Sequence, residues 1–287
     1  MLAIFKREFR SYFTSMTGYV IIAIMLVFSG VFSMILNLIG QYASYESVLS
    51  NQSIVLIVAI PVLTMRSIAE DRKSKTDMLL YSLPLKMSSI VLGKYFAMLA
   101  VWAICCLSMG LTPLILSGYG TVNFVTTYSA IFGFFLLGAA LIAICMFFSS
   151  LTENQLISAL IGVGVMLLLY LIGALVSIIP TTALASYIGI GVLAIAVALV
   201  VYLLSKNYLV AIIVAALEII PLLVIYFVKA EWLEGALTEA VSRLSLFDRF
   251  YSFVDGAFDI TAVVYYISIA VFFIFLSVQS LDKRRYS

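Results

Sequence analysis

The sequence predicts an all-α, polytopic transmembrane helical bundle. Two stretches lack Asp, Glu, Lys and Arg: 58 residues between Lys94 and Glu153, and 52 residues between Glu153 and Lys206. Charged residues make up 10% of the chain and hydrophobic residues 64%, whereas soluble domains are about 25% charged. Because the apolar runs are long and do not alternate with polar residues, they favour helices over a β-barrel.

The apolar segments predict the number of crossings. A bilayer core takes up about 20 residues per helical crossing, and eight segments of the chain approach or exceed that length. They are 18–38, 53–68, 92–116, 128–149, 156–179, 183–204, 207–228 and 261–280. We therefore expect about eight spans in a single transmembrane domain that covers residues 1–287.

The basic residues predict the orientation. With the N-terminus inside, only Lys229, Arg243 and Arg249 fall on the outer side. The 13 basic residues on the inner side are Lys6, Arg7, Arg10, Arg66, Arg72, Lys73, Lys75, Lys86, Lys94, Lys206, Lys283, Arg284 and Arg285. This asymmetry satisfies the positive-inside rule. We expect a multi-pass protein of the cell inner or plasma membrane with both termini cytoplasmic.

Residues 1–17 form an amphipathic pattern. Apolar residues recur at helical spacing from Phe5 to Met16, while Lys6, Arg7 and Arg10 fall on the other side. Such a helix lies on the inner leaflet. It is either a simple topogenic anchor or a connecting helix that takes up force from a cytoplasmic partner.

The most polar cytoplasmic stretch is the loop 69–91. Thr76 and Asp77 are favourable first-turn residues for a short helix, residues 78–81 supply an apolar tip, and Pro84 ends the helix. An exposed apolar tip flanked by charges favours a protein partner. An ordinary solvated loop is the alternative interpretation.

This stretch resembles the signature of a known family. The strings PVLTMRSIAEDRKSKTDMLLYSLP (61–84) and IVLGK (90–94) are similar to ABC-2 type permeases, with the closest likeness to the gliding-motility-associated branch. SSLTENQ (149–155) and the tail around 247–248 and 280–285 are similar as well. The resemblance implies six spans per subunit, a second permease subunit in a homo- or heterodimer, and two separate ATP-binding-cassette ATPase subunits. The chain departs from this pattern by an inserted two-span hairpin, 183–228.

The resemblance also implies which residues couple to the ATPase. The apolar tip would dock in a groove of the ATPase, charges at the rim would set the register, and a smaller contact would follow the fourth span. These residues are Glu70, Asp71, Arg72, Lys73, Thr76, Asp77, Met78, Leu79, Leu80 and Tyr81, with Glu153, Asn154 and Gln155 in the smaller contact. The sequence contains no GxxxxGK[ST] motif. ATP and Mg²⁺ are therefore expected in the partner, with no cofactor in this chain.

Catalytic chemistry is not expected here. The chain has no histidine, and its three cysteines lack a CxxC pairing, so we expect no catalytic residue and no metal site. The cysteines are interpreted as packing residues. We expect no nucleic-acid partner. Besides the ATPase subunits and a second permease subunit, the expected partner is membrane lipid.

One acidic residue lies inside a predicted span. Glu218 is near the middle of span 207–228, three residues before Pro221. Intramembrane carboxylates usually face a bundle interior or water. Glu218 is either a protonatable or cation-binding site or a neutral side chain hydrogen-bonded to Tyr170 or Ser177.

The outer segment 229–260 predicts one or two short amphipathic helices. Its aromatic residues, among them Phe247, Phe250 and Phe253, suit the headgroup boundary. The family resemblance implies that these helices fringe an outer gate; the alternative is that they only anchor the last span.

Taken together, the sequence favours a permease subunit of an ATP-binding-cassette transporter that exports an amphipathic or hydrophobic substrate. The alternative is a force-transmitting or sensing membrane subunit that moves no substrate. A secondary transporter would need inverted repeats, and an intramembrane enzyme would need a nucleophile and a base. Neither pattern is found.

Overall fold

The computed structural model describes residues 1–41, 43–75, 86–178, 180–192 and 234–285, with positions 195, 208, 216 and 217. All regular structure in these residues is helical, with no strand. The helices are α1 (Leu2–Thr14), α2 (Thr17–Ser33), α3 (Tyr45–Gln52), α4 (Leu56–Thr64), α5 (Ala69–Lys73), α6 (Met87–Met109), α7 (Thr112–Leu116), α8 (Phe124–Leu151), α9 (Gln155–Ile178), α10 (Ala183–Val192), α11 (Ala236–Leu244), α12 (Leu246–Val254) and α13 (Ile260–Arg285). The predicted all-α bundle is confirmed.

Six helical stretches of the described chain are long and apolar enough to cross a membrane. They are Thr17–Ile39, Tyr45–Lys73, Met87–Leu116, Phe124–Leu151, Gln155–Val176 and Ile260–Lys283, and they correspond to predicted spans one to five and to the last one. Helix α10 begins the predicted hairpin 183–228, and most of that segment, including Glu218, lies outside the described residues.

The second span extends beyond the predicted apolar segment 53–68 at both ends and runs on past Arg66 to Lys73. It begins at Tyr45 rather than near 53 and continues through a 3₁₀ turn, Ser53–Val55, into α4. Its polar residues are buried because neighbouring helices supply hydrogen bonds: Gln52 Nε2 donates to the Met25 carbonyl at 2.8 Å, and the Tyr45 hydroxyl lies 2.8 Å from Ser29 Oγ. A hydropathy profile places polar residues such as Gln52 outside the membrane. Inside the membrane a polar side chain is tolerated when it is hydrogen-bonded to another part of the protein.

Helix α8 forms the centre of the larger compact unit, which comprises Met1–Tyr170 and Leu246–Ser287. Glycines let other elements approach it closely. A methyl group at Gly138 would collide with the indole of Trp102, and one at Gly133 would lie 2.7 Å from the ring of Phe253. Trp102 Nε1 also donates to the Phe135 carbonyl at 3.1 Å. Residues 124–151 therefore position the helices around them.

The aromatic residues of α12 correct one expectation. Phe247, Phe250 and Phe253 are buried within the larger unit, rather than exposed at a headgroup boundary. Their spacing of three places them on one face of α12, and that face packs against α8. In the described part of residues 229–260 the structure has two short helices, α11 and α12.

The second compact unit comprises Leu171–Ser245. Within it, α10 and α11 pack through Gly189, which contacts Leu237. The Gly235 amide donates to the Thr181 carbonyl at 2.9 Å, and the Leu237 amide donates to Ser186 Oγ at 3.4 Å. These bonds join residues 181–186 to the start of α11.

Candidate functional site: an ion-pair junction around Lys94

Helix α1 is packed against the bundle along one face. Ile4, Glu8 and Tyr12 recur every four residues, and this spacing puts them on one side of the helix. Ile4 and Tyr12 are buried. A methyl group at Gly93 of α6 would lie 3.0 Å from Ile4 Cγ2, so the glycine permits α1 and α6 to approach closely.

Tyr12 attaches the other end of α1. Its hydroxyl donates to the Leu63 carbonyl of α4 at 3.3 Å. Burial raises the pKa of Tyr12, so the hydroxyl stays protonated and keeps donating this bond. Helix α1 is thereby fixed to both the second and the third span.

A buried lysine occupies the middle of this contact. The Lys94 side chain is 4% exposed, and its Nζ lies 3.1 Å from Glu8 Oε1 and 2.6 Å from Asp71 Oδ2. Nζ also donates to the Ser67 carbonyl at 2.6 Å. We call Glu8, Ser67, Asp71 and Lys94 the Lys94 junction.

The charges of the junction are balanced. Burying an ammonium group is costly unless it is paired and hydrogen-bonded, and here two carboxylates and a carbonyl surround it. Glu8 also accepts a hydrogen bond from Arg7 at 2.6 Å, which raises the pKa of the Arg7 guanidinium. Two acidic and two basic side chains therefore form one network, which joins α1, α5 and α6.

Neighbouring bonds extend the junction to the first and fourth spans. The Ala69 amide of α5 donates to Ser149 Oγ of α8 at 3.3 Å, and an Arg66 guanidinium nitrogen donates to Thr17 Oγ1 of α2 at 3.1 Å. The ends of four spans and α1 thus meet at one place. No group of three or more His, Cys, Asp or Glu suited to a metal ion occurs in the described part of the chain.

The sequence pattern of the family described as "ABC-2 family transporter protein" matches residues 37–190, more than half of the chain. This chain is an ABC-2 family transporter protein. As an ABC-2 permease it is the membrane-spanning subunit of an ATP-binding-cassette transporter, a multi-pass protein whose family works with ATPase subunits. Comparison with curated proteins and with solved structures finds no match.

The predicted coupling residues of the ABC-2 permease fall in three groups. Glu70 and Lys73 are exposed, Asp71 belongs to the Lys94 junction, and Arg72 is buried. Glu153 and Asn154 are exposed between α8 and α9, where Asn154 Oδ1 accepts from the Leu156 amide at 2.9 Å; Gln155 begins α9. Thr76, Asp77, Met78, Leu79, Leu80 and Tyr81 lie outside the described residues.

Two junction residues were missed by sequence reasoning. The sequence places Lys94 among the basic residues on the inner side and at the end of the IVLGK signature, and it assigns no ion-pair partner to Lys94 and no role to Glu8. The sequence does contain a sign that Lys94 is paired, because Lys94 is the only charged residue in the predicted span 92–116. A lysine inside an apolar run, two residues into a predicted span, should prompt a search for a carboxylate partner.

Proposed function

We propose that this ABC-2 permease exports an amphipathic or hydrophobic molecule across the cell membrane. The energy comes from ATP-binding-cassette ATPase subunits that dock on residues 76–81 at the cytoplasmic face, with a smaller contact at residues 153–155. The permease works as a dimer with a second permease subunit, and both termini are cytoplasmic. The observation that carries this proposal is the Lys94 junction.

The junction ties together both ends of the docking segment. The chain leaves α5 at Lys73 and enters α6 at Met87, and the ion pair between Asp71 and Lys94 joins these two helices at 2.6 Å. A force on the segment between them therefore acts on α5 and α6 together. Lys94 passes the same force to α1 through Glu8. Elements held in this way move as rigid bodies.

Apolar grooves on the surface support a hydrophobic substrate. One groove of about 520 Å³ lies between α6 and α8, lined by residues such as Leu107, Leu111 and Phe132. A second, of about 570 Å³, lies between α1 and α6 and is lined by Leu2, Phe5 and other apolar residues. These surfaces suit lipid tails and hydrophobic molecules, and they offer little to a small ion.

The docking assignment is tested by replacing Met78, Leu79 and Leu80 with Asp. ATPase activity should no longer copurify with the permease, because the apolar tip contributes most of the affinity. The matched control replaces the exposed Glu70 and Lys73 with Gln; this variant should keep the complex and only slow its association. Size-exclusion chromatography verifies that each variant remains monodisperse. Normal recovery of ATPase activity with the triple Asp variant refutes the docking assignment.

Transport is tested with the purified complex in proteoliposomes. An exporter should move a fluorescent phospholipid or the hydrophobic dye rhodamine 6G in an ATP-dependent way. A force-transmitting or sensing subunit would support ATP hydrolysis and move neither probe.

The orientation has its own test. Cys105, Cys106 and Cys145 are all buried, so a Ser74→Cys variant adds one accessible thiol. A membrane-impermeant maleimide should label it only after the cells are opened. Labelling of intact cells would place Ser74 and the docking segment that follows it outside the cell, and would overturn the proposed topology.

A further inference from the structure

A polar cavity lies at the end of the bundle opposite the Lys94 junction. Glu46 in its wall and Asp71 in the junction are 25 residues apart along one helical span, which at 1.5 Å per residue separates them by about 38 Å. The cavity has a volume of about 820 Å³, and its lining includes Asn37, Tyr119 and Asn123. We propose that this cavity binds an organic ligand that carries a protonated amine, with Glu46 as its anionic partner.

The hydrogen-bond partners of Glu46 suit a carboxylate. Its Oε1 accepts hydrogen bonds from Thr126 Oγ1 at 2.7 Å and Thr127 Oγ1 at 2.5 Å, and its Oε2 accepts one from Ser44 Oγ at 2.9 Å. A carboxylate only accepts hydrogen bonds, whereas a carboxylic acid would need to donate one. Three hydroxyl donors converging on both oxygens therefore favour the ionised form.

No basic residue of the described chain balances this charge. Glu46 is 8% exposed, and none of the ion pairs among the described residues includes it. Residues 11–65 and 95–205 contain no Lys or Arg, and Arg249 of α12, the helix that packs against α3, lies instead over the ring of Tyr265 at 4.1 Å from its centroid. The start of α3 supplies only a partial positive charge. A nearly buried carboxylate of this kind is costly without a cation, and a bound ammonium group would supply one.

The form of the cavity indicates an organic ligand rather than a bare ion. Its volume lies within the range of about 300–1,000 Å³ that is usual for small-molecule sites. Tyr119 and Asn123 are exposed, so the cavity opens to the surface. Among the residues that line it in the described chain, Glu46 is the only charged one. Amides and hydroxyls are available for the polar remainder of the ligand.

The backbone at the wall is also unusual. Helix α2 continues into a π-helical segment, Met34–Ile39, which carries Asn37. π-Helical turns are rare and occur frequently at functional sites. This feature is independent of the charge of Glu46 and supports the same location.

The proposal is tested on the purified full-length permease without ATPase subunits. The probes are 2-phenylethylamine, which is cationic at neutral pH, and the neutral 2-phenylethanol and anionic phenylacetate as matched controls. The amine should raise the Tm in proportion to ln(1 + [amine]/Kd), by about 3 °C at about ten times its Kd. The alcohol should give at least a tenfold weaker apparent affinity, and phenylacetate should give no shift.

Two variants assign the charge preference to Glu46. Glu46→Gln should raise the apparent Kd of the amine at least tenfold, whereas Glu239→Gln, at a carboxylate whose side chain is 64% exposed, should leave it unchanged. If Glu46→Gln does not fold, Glu46→Asp retains the charge and should still prefer the amine to the alcohol. Equal stabilisation of the wild-type protein by amine and alcohol overturns the proposal, as does unchanged amine affinity in Glu46→Gln. Because no ATP or ATPase is used, failure of the proposed export would leave this result unaffected.

Discussion

Replacing Lys94 with Met should weaken the docking of α1 on the bundle. The substitution retains a long unbranched side chain and removes the ammonium group that lies 3.1 Å from Glu8 and 2.6 Å from Asp71. Two carboxylates and the Ser67 carbonyl then lose their shared cation. Removing one partner from a buried ion pair costs about 3–5 kcal/mol.

The lower end of that range applies here. The side chains of Glu8 and Asp71 are 14% and 20% exposed, so water can relieve part of the lost interaction. A cost of about 3 kcal/mol raises the population of undocked α1 about 100-fold, since every 1.4 kcal/mol is a factor of ten. The remaining contacts of α1, through Ile4 and Tyr12, persist in the variant.

Hydrogen exchange measures this population directly. Amides of α1 in the Lys94→Met variant should exchange about 100-fold faster than in the wild-type protein, because exchange follows the local opening equilibrium. Amides in α8 should be unaffected. Lys86→Met is the matched control, since Lys86 is exposed just before α6, and it should leave α1 unchanged. If the amides of α1 exchange as slowly in Lys94→Met as in the wild-type protein, the junction does not hold this helix on the bundle.

Three further substitutions test other contacts. Gly93→Ala should destabilise the docking of α1 by about 1 kcal/mol, because the added methyl group is too close to Ile4. When Ile4 is first replaced by Ala, the same Gly93→Ala substitution should have almost no effect on hydrogen exchange in α1. Gly138→Ala places a methyl group against Trp102 and should lower the free energy of unfolding by about 2 kcal/mol, seen as a lower Tm; a normal Tm would contradict the packing described. Glu218→Gln should change the pH dependence of transport if Glu218 is a protonatable site, whereas unchanged transport at every pH leaves it a structural role only.

Much of the bundle could be predicted because lipid imposes a simple rule on sequence. Each of the six described spans coincides with an apolar run, since backbone groups in the membrane must pair within a helix. The start of the second span could not be predicted in the same way. Glu46 and Gln52 are polar, and hydropathy treats them as solvent-facing residues. Their burial depends on Thr126, Thr127 and Met25, which come from other helices.

The end of the bundle around Lys94 gives a second example of this limit on sequence-based prediction. Lys86 and Lys94 lie eight residues apart at the start of the third span, and sequence reasoning placed both on the inner surface. One is exposed and the other is almost fully buried. The difference arises from Glu8, which is 86 positions away from Lys94 and reaches it only because Gly93 lets α1 approach. A lysine near the end of a span can extend to the water or pair inside the protein. Which of the two occurs depends on the packing of a distant helix, and a local sequence pattern does not contain that information.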